Sequence, residues 1–124
     1  MAKNKIKKRT GSDQGPGQAG ISQALNQAVL LHKQHQLAEA ASIYQSILDR
    51  DKNHFHALHL LGSVYIEWGK YEDAVTLFNR ALKQNPGAAN VYYNVGLALY
   101  ALKQNEEAIA NYRRVYPRAG RRHP

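Results

Sequence analysis

FHALHLLGSVYIEWGKYEDAVTLFNRALKQNPGA, residues Phe55–Ala88, carries two apolar stripes at helical spacing. Leu58, Leu61, Tyr65 and Trp68 lie three or four residues apart, on one face of a helix. Gly69 and Lys70 interrupt that stripe, and glycine is the usual residue where a helix must stop. Tyr71, Ala74, Val75, Phe78, Ala81 and Leu82 form the second stripe. Asn85, Pro86 and Gly87 close it, because a residue before proline avoids the helical region. The stretch predicts two amphipathic helices joined by a tight turn.

The same pattern recurs on both sides at an interval of 34 residues. Tyr44, Phe78 and Tyr112 form one column; Ala40, Ala74 and Ala108 form another, each preceded by an acid, Glu39, Asp73 or Glu107. Ala28, Gly62 and Gly96 make a small-residue column. Leu31, Tyr65 and Leu99 make a large apolar column, and Ile47, Ala81 and Val115 make another apolar one. The third row is expected to repeat both helices, through Tyr92, Val95, Gly96 and Leu99, then Ala108, Ile109, Tyr112 and Val115. The first row is weaker, with Leu25, Ala28 and Leu31, then Leu37, Ala40, Ala41, Tyr44, Ile47 and Leu48. A helix of about 14 residues is marginal alone, so each must bury its stripe against its neighbours. Small residues let paired backbones approach, and Tyr65 and Phe78 fill the space between pairs. The expected fold is all-α, a helix-turn-helix solenoid of about three 34-residue units in which each unit touches only its neighbours.

Composition bounds what such a chain can do. Its 124 residues suffice for one small domain. No cysteine is present, so disulfides, thiol catalysis and cysteine-zinc sites are excluded. The net charge of +8 sits at the ends. Lys3, Lys5, Lys7, Lys8 and Arg9 face only Asp13 in residues 1–20, and residues 113–124 hold Arg113, Arg114, Arg118, Arg121 and Arg122 with no acid. The middle is nearly neutral, so the basic balance describes tails and not a basic face. The basic start has no apolar segment after it, so it is not read as a secretory signal, and the cytoplasm is the expected compartment. The expected organisation is a disordered basic leader at 1–20, repeats at 21–54, 55–88 and 89–116, and a basic irregular tail at 117–124.

The rows resemble the tetratricopeptide repeat. In the second, Leu61, Gly62, Tyr65, Gly69, Tyr71, Ala74, Phe78, Ala81 and Pro86 sit where that family expects them, with Leu58 where tryptophan is common. The third keeps Gly96, Ala108 and Tyr112, but Lys103 and Asn105 replace the turn glycine and tyrosine. The first keeps Ala28, Ala40 and Tyr44, and Lys52 stands in place of the closing proline. The resemblance implies that the first helix of each pair lines a concave groove for a peptide or a partner helix. By position, the groove would present Asn26, Val29, His32 and Lys33 from the first row. His56, His59 and Ser63 would follow from the second, and Asn90, Tyr93, Asn94 and Leu97 from the third. Asn26 and Asn94 fall where some family members grip a peptide backbone with asparagine, whose amide both donates and accepts; Leu60 interrupts that ladder. The lysine and asparagine with which some members clamp the C-terminal carboxylate of a chaperone are replaced by Leu25 and Val29, which argues against that partner class.

No catalytic constellation is visible: no nucleophile elbow surrounds a serine and no glycine-rich phosphate loop precedes a lysine. Glu72, Asp73, Glu106 and Glu107 are explained as acids at helix N-termini. His54, His56 and His59 cluster, but no acid or cysteine completes a metal-ligand set. Neither a cofactor nor a metal is expected. The leading expectation is a non-enzymatic interaction module. One alternative is a docking fragment of a repeat-containing glycosyltransferase or sulfotransferase, since HALHLLG (His56–Gly62) resembles the repeats that precede such domains in bacterial proteins. Another is nucleic-acid association through the basic tails. The third row ends near Val115 and Tyr116, before Pro117, with no capping helix. Its apolar face is therefore expected to be covered by the tail, by another chain or a second copy, or by further sequence.

Overall fold

The computed structural model describes residues 18–115 and contains five helices among them. They are α1 (Gln18–Lys33), α2 (Leu37–Arg50), α3 (Phe55–Glu67), α4 (Tyr71–Gln84) and α5 (Ala89–Val115). The fold is the expected all-α solenoid: α1 pairs with α2, α3 with α4, and α5 packs on α4. Most of the basic leader and all of the tail lie outside the described residues. The boundary at residue 20 moves, because α1 already begins at Gln18.

Two turns 34 residues apart use the same geometry. His35 and Gly69 take positive φ of 61° and 77°. The amide of the next residue then reaches back across the helix end, Gln36 N–H to the Leu31 carbonyl at 2.9 Å and Lys70 N–H to the Tyr65 carbonyl at 2.8 Å. This left-handed stop satisfies carbonyls that the helix end would leave unpaired. Leu37 and Tyr71, half-buried, then anchor the start of the following helix. At the start of α3, His54 Nδ1 accepts the Ala57 N–H at 3.2 Å, an N-cap by a ring nitrogen.

One core runs through both hairpins. Tyr44, Ile47, Leu58, Leu61, Val64, Phe78 and Val91 are its largest fully buried side chains. Gly62 is the point of closest approach. A Cβ placed there would lie 2.5 Å from the Phe78 ring, so only glycine admits that ring. Ala40 and Ala74, from the alanine column, are fully buried.

The third row departs from the expected helix pair. Residues 89–115 form one continuous helix of 27 residues. Lys103 stands where His35 and Gly69 make the left-handed turn, and Asn105 stands where Leu37 and Tyr71 anchor the next helix. A lysine gains nothing from left-handed backbone, which costs a Cβ-bearing residue about 1–2 kcal/mol. Asparagine supplies no apolar anchor, and the helix runs on. The expected stripe shifts accordingly. Val91 and Ala98 are buried, Val95 is half-buried, and Tyr92 and Leu99 are exposed.

Candidate peptide-binding groove

The residues assigned to the groove lie on α1, α3 and α5, and two side-chain pairs tie these helices together. His32 Nε2 on α1 lies 2.9 Å from Glu67 Oε2 on α3. Asn94 Nδ2 on α5 lies 3.0 Å from His59 Nε2 on α3. Each pair spans 35 residues, one repeat plus one position, although the two pairs occupy different registers of the repeat.

The first pair continues into the core. His32 Nδ1 lies 3.2 Å from the Tyr44 hydroxyl. Burial pushes the Tyr44 phenol up to about 12, so it remains a donor. With a neutral imidazole, Tyr44 O–H donates to Nδ1 and Nε2–H donates to Glu67. His35 Nδ1 stands 3.9 Å from the other Glu67 oxygen. Glu67, which the repeat register also places on the concave face, and the buried Tyr44 are therefore both tied to His32.

The second pair lies over Phe78, whose ring centroid is 6.0 Å from that of His59. Burial, and secondarily the neighbouring His56, hold His59 below the ordinary histidine value of 6.5. The imidazole is thus neutral near pH 7, and its Nε2 can accept the Asn94 amide hydrogen. Asn94, half-buried, is therefore held against α3. Asn26, by contrast, is simply exposed on α1.

The remaining residues fall into three kinds. Ser63 Oγ donates to the His59 carbonyl at 3.2 Å, so its hydroxyl serves its own helix. Val29 is half-buried. Lys33, His56, Asn90, Tyr93 and Leu97 are exposed, and Tyr93 keeps 68% of its surface and neighbouring Tyr100 66%. The histidine cluster is committed to structure, with His54 capping α3, His59 bonded to Asn94, and the His56 ring packed edge-on against Phe55 at 5.2 Å. Among the described residues no group of three His, Cys, Asp or Glu side chains could hold a metal ion. No helix there is long and apolar enough to cross a membrane.

Two family models described as tetratricopeptide repeat match this chain, one over residues 59–124 and the other over residues 20–85. The chain belongs to the tetratricopeptide repeat family. Tetratricopeptide repeat protein 17 of Homo sapiens is 35% identical over 63 residues, which are 51% of this chain and 5% of that protein. Tetratricopeptide repeat protein 8 of Caenorhabditis elegans is 26% identical over 73 residues, 59% of this chain and 14% of that protein. The chain thus spans a small part of these tetratricopeptide repeat relatives. Among solved structures, the first TPR of Spaghetti (RPAP3), bound to the HSP90 peptide SRMEEVD, superposes with a TM-score of 0.64 at 26% identity. That match covers 77% of this chain and 75% of the other. A MamA RS-1 double mutant gives 0.63 at 23% identity, over 73% of this chain and 51% of its own, a likeness of fold alone.

Proposed function

We propose that this chain is a protein-interaction module whose concave face holds an extended peptide or a partner helix. The observation that carries the reading is the pair of cross-helix bonds, His32 to Glu67 and His59 to Asn94. They fix α1, α3 and α5 in register and leave Tyr93, Leu97 and Tyr100 projecting as amphipathic contact area. Tyrosine is enriched among the anchors of binding surfaces. The peptide-bound Spaghetti domain supports the reading, because a closely similar fold holds a peptide.

The partner class differs from a chaperone C-terminus. A carboxylate clamp needs cationic and amide side chains at two positions of the first helix, and this chain has Leu25 and Val29 there. The ligand we propose is an uncharged or mixed segment, gripped by the Asn94 and Asn26 amides and by tyrosine rings. A scaffold role without catalysis, in the cytoplasm, completes the reading.

Affinity capture from a lysate on the immobilised full chain, in low and high salt, tests it. A protein retained at high salt and lost with Tyr93→Ala plus Asn94→Ala is the expected result. Capture that survives this double substitution, or that vanishes in high salt and carries nucleic acid, overturns the groove and moves the function to the basic ends.

A further inference from the structure

The bond from Asn94 to His59 occupies a register that is apolar one repeat earlier. Thirty-four residues before His59 and Asn94 stand Leu25 and Leu60. Both are partly buried and packed against the core. The solenoid thus closes in that register without polar side chains, and packing alone does not call for an imidazole and an amide there.

The His59–Asn94 pair has a direction. Asn94 Nδ2 lies 3.0 Å from His59 Nε2. An amide nitrogen only donates, so Nε2 accepts, and the single ring hydrogen of the neutral imidazole sits on Nδ1. The surroundings keep the ring neutral. Phe55 on α3 and Phe78 on α4 flank it, with ring centroids 6.1 and 6.0 Å away. From α5 it meets the uncharged Asn94 amide. His56, on its own helix, is the titratable group that acts on it; among the described residues no charged side chain of α2, α4 or α5 does so.

With one N–H of Asn94 spent on His59, the amide keeps Oδ1 and its other N–H for a ligand. A protonated ring inverts that arrangement. Nε2–H then donates, so the amide must turn over to set Oδ1 against it, and Nδ2 with both its hydrogens takes the place of the oxygen. We propose that His59 is a positioning residue that sets the polarity of Asn94: the neutral ring leaves the amide oxygen for a hydrogen-bond donor of the bound segment, such as a backbone N–H, and a proton on the ring replaces that acceptor with donors. The consequence for a ligand rests on the concave face being the binding surface. The polarity of the amide does not.

The test is heteronuclear NMR on the isotope-labelled full chain without ligand, taken from about pH 8 downward. It reads which ring nitrogen of His59 carries hydrogen, together with the side-chain amide of Asn94. At about pH 8 the hydrogen is expected on Nδ1, and in acid the Asn94 amide signals should change with the same midpoint as the ring. A neutral ring with its hydrogen on Nε2 overturns the proposal, because the amide would already face the other way. So does an Asn94 amide that stays unchanged while His59 titrates. Asn94→Asp sets a carboxylate beside the ring and should raise its midpoint by about 1–3 on the pH scale; an unmoved midpoint overturns the contact itself. If helical circular dichroism is lost before the ring of the unaltered chain titrates, the hydrogen position at about pH 8 and the Asn94→Asp variant decide alone. No ligand enters these measurements, so their failure removes the polarity and leaves the groove, whereas failure of the capture experiment removes the groove.

Discussion

His32 and Glu67 stand 2.9 Å apart across the α1–α3 boundary, and behind His32 the hydroxyl of the fully buried Tyr44 is bonded to the other ring nitrogen. The three groups form a line from solvent to core. Their contributions to stability are unequal, because the cost of losing a partner depends on where the abandoned group lies.

Glu67 is partly exposed, and exposed ion pairs are worth about 0–1 kcal/mol. Glu67→Ala should therefore lower the unfolding free energy by less than about 1 kcal/mol. His32→Ala strands the Tyr44 hydroxyl in the core, at about 1–3 kcal/mol. In a Tyr44→Phe background no hydroxyl is left behind, so the cost of His32→Ala should shrink. Urea denaturation of the two single variants and the double variant checks the order; equal costs for His32→Ala in both backgrounds would remove the buried bond from the account.

The repeat itself was legible because it rests on residues whose sizes alternate in a fixed register. Gly62 beside Phe78, Ala74 and the Pro86 stop state the hairpin in sequence and are found in it. The continuous α5 was harder to read. Its apolar columns persist through Ala108, Tyr112 and Val115, and they conceal that Lys103 and Asn105 no longer make a turn. Periodicity reports which face would be buried, whereas a single backbone position decides whether the chain reverses. The groove residues were assigned from the sequence as a set of register positions. That His59 holds Asn94 and that Ser63 bonds its own helix were not, since both depend on side-chain geometry between neighbours.

The two left-handed turns give a prediction of opposite signs. Gly69 has φ of 77° and open space around its Cβ position, so Gly69→Ala adds backbone strain without a clash. The expected loss is about 1–2 kcal/mol. His35 holds the same conformation with a side chain attached, and His35→Gly should raise stability by up to about 1 kcal/mol, less the entropy that glycine adds to the unfolded chain. Thermal unfolding followed by circular dichroism reads both, and a destabilised His35→Gly would mean that the ring's weak approach to Glu67 outweighs the strain.

Close packing at the first notch gives a third. Gly62→Ala must displace the Phe78 ring, which the core holds fully buried. Overpacking of this kind costs about 1–3 kcal/mol. Phe78→Leu in the same chain frees space, so the double variant should lose less than the sum of the single losses. Strict additivity in denaturant titrations would show that the two positions do not share one space.

His59 makes stability depend on pH, and the direction follows from its depressed value. Burial, with His56 nearby, favours the neutral ring in the folded chain, while the unfolded chain titrates near the ordinary 6.5. Above that value both states are neutral and the Asn94 bond is fully available. As the pH falls through it, the unfolded state takes up a proton first, and folding loses ground until the folded ring is protonated too. A protonated Nε2 would also donate, and could no longer accept from the Asn94 amide. Denaturation midpoints taken between about pH 8 and pH 5 should fall more steeply for the unaltered chain than for His59→Gln, which cannot titrate. Groove ligands that rely on Asn94 should weaken over the same interval. Parallel pH profiles for the two proteins would place the titrating group elsewhere and leave the His59–Asn94 pair as a neutral spacer between α3 and α5.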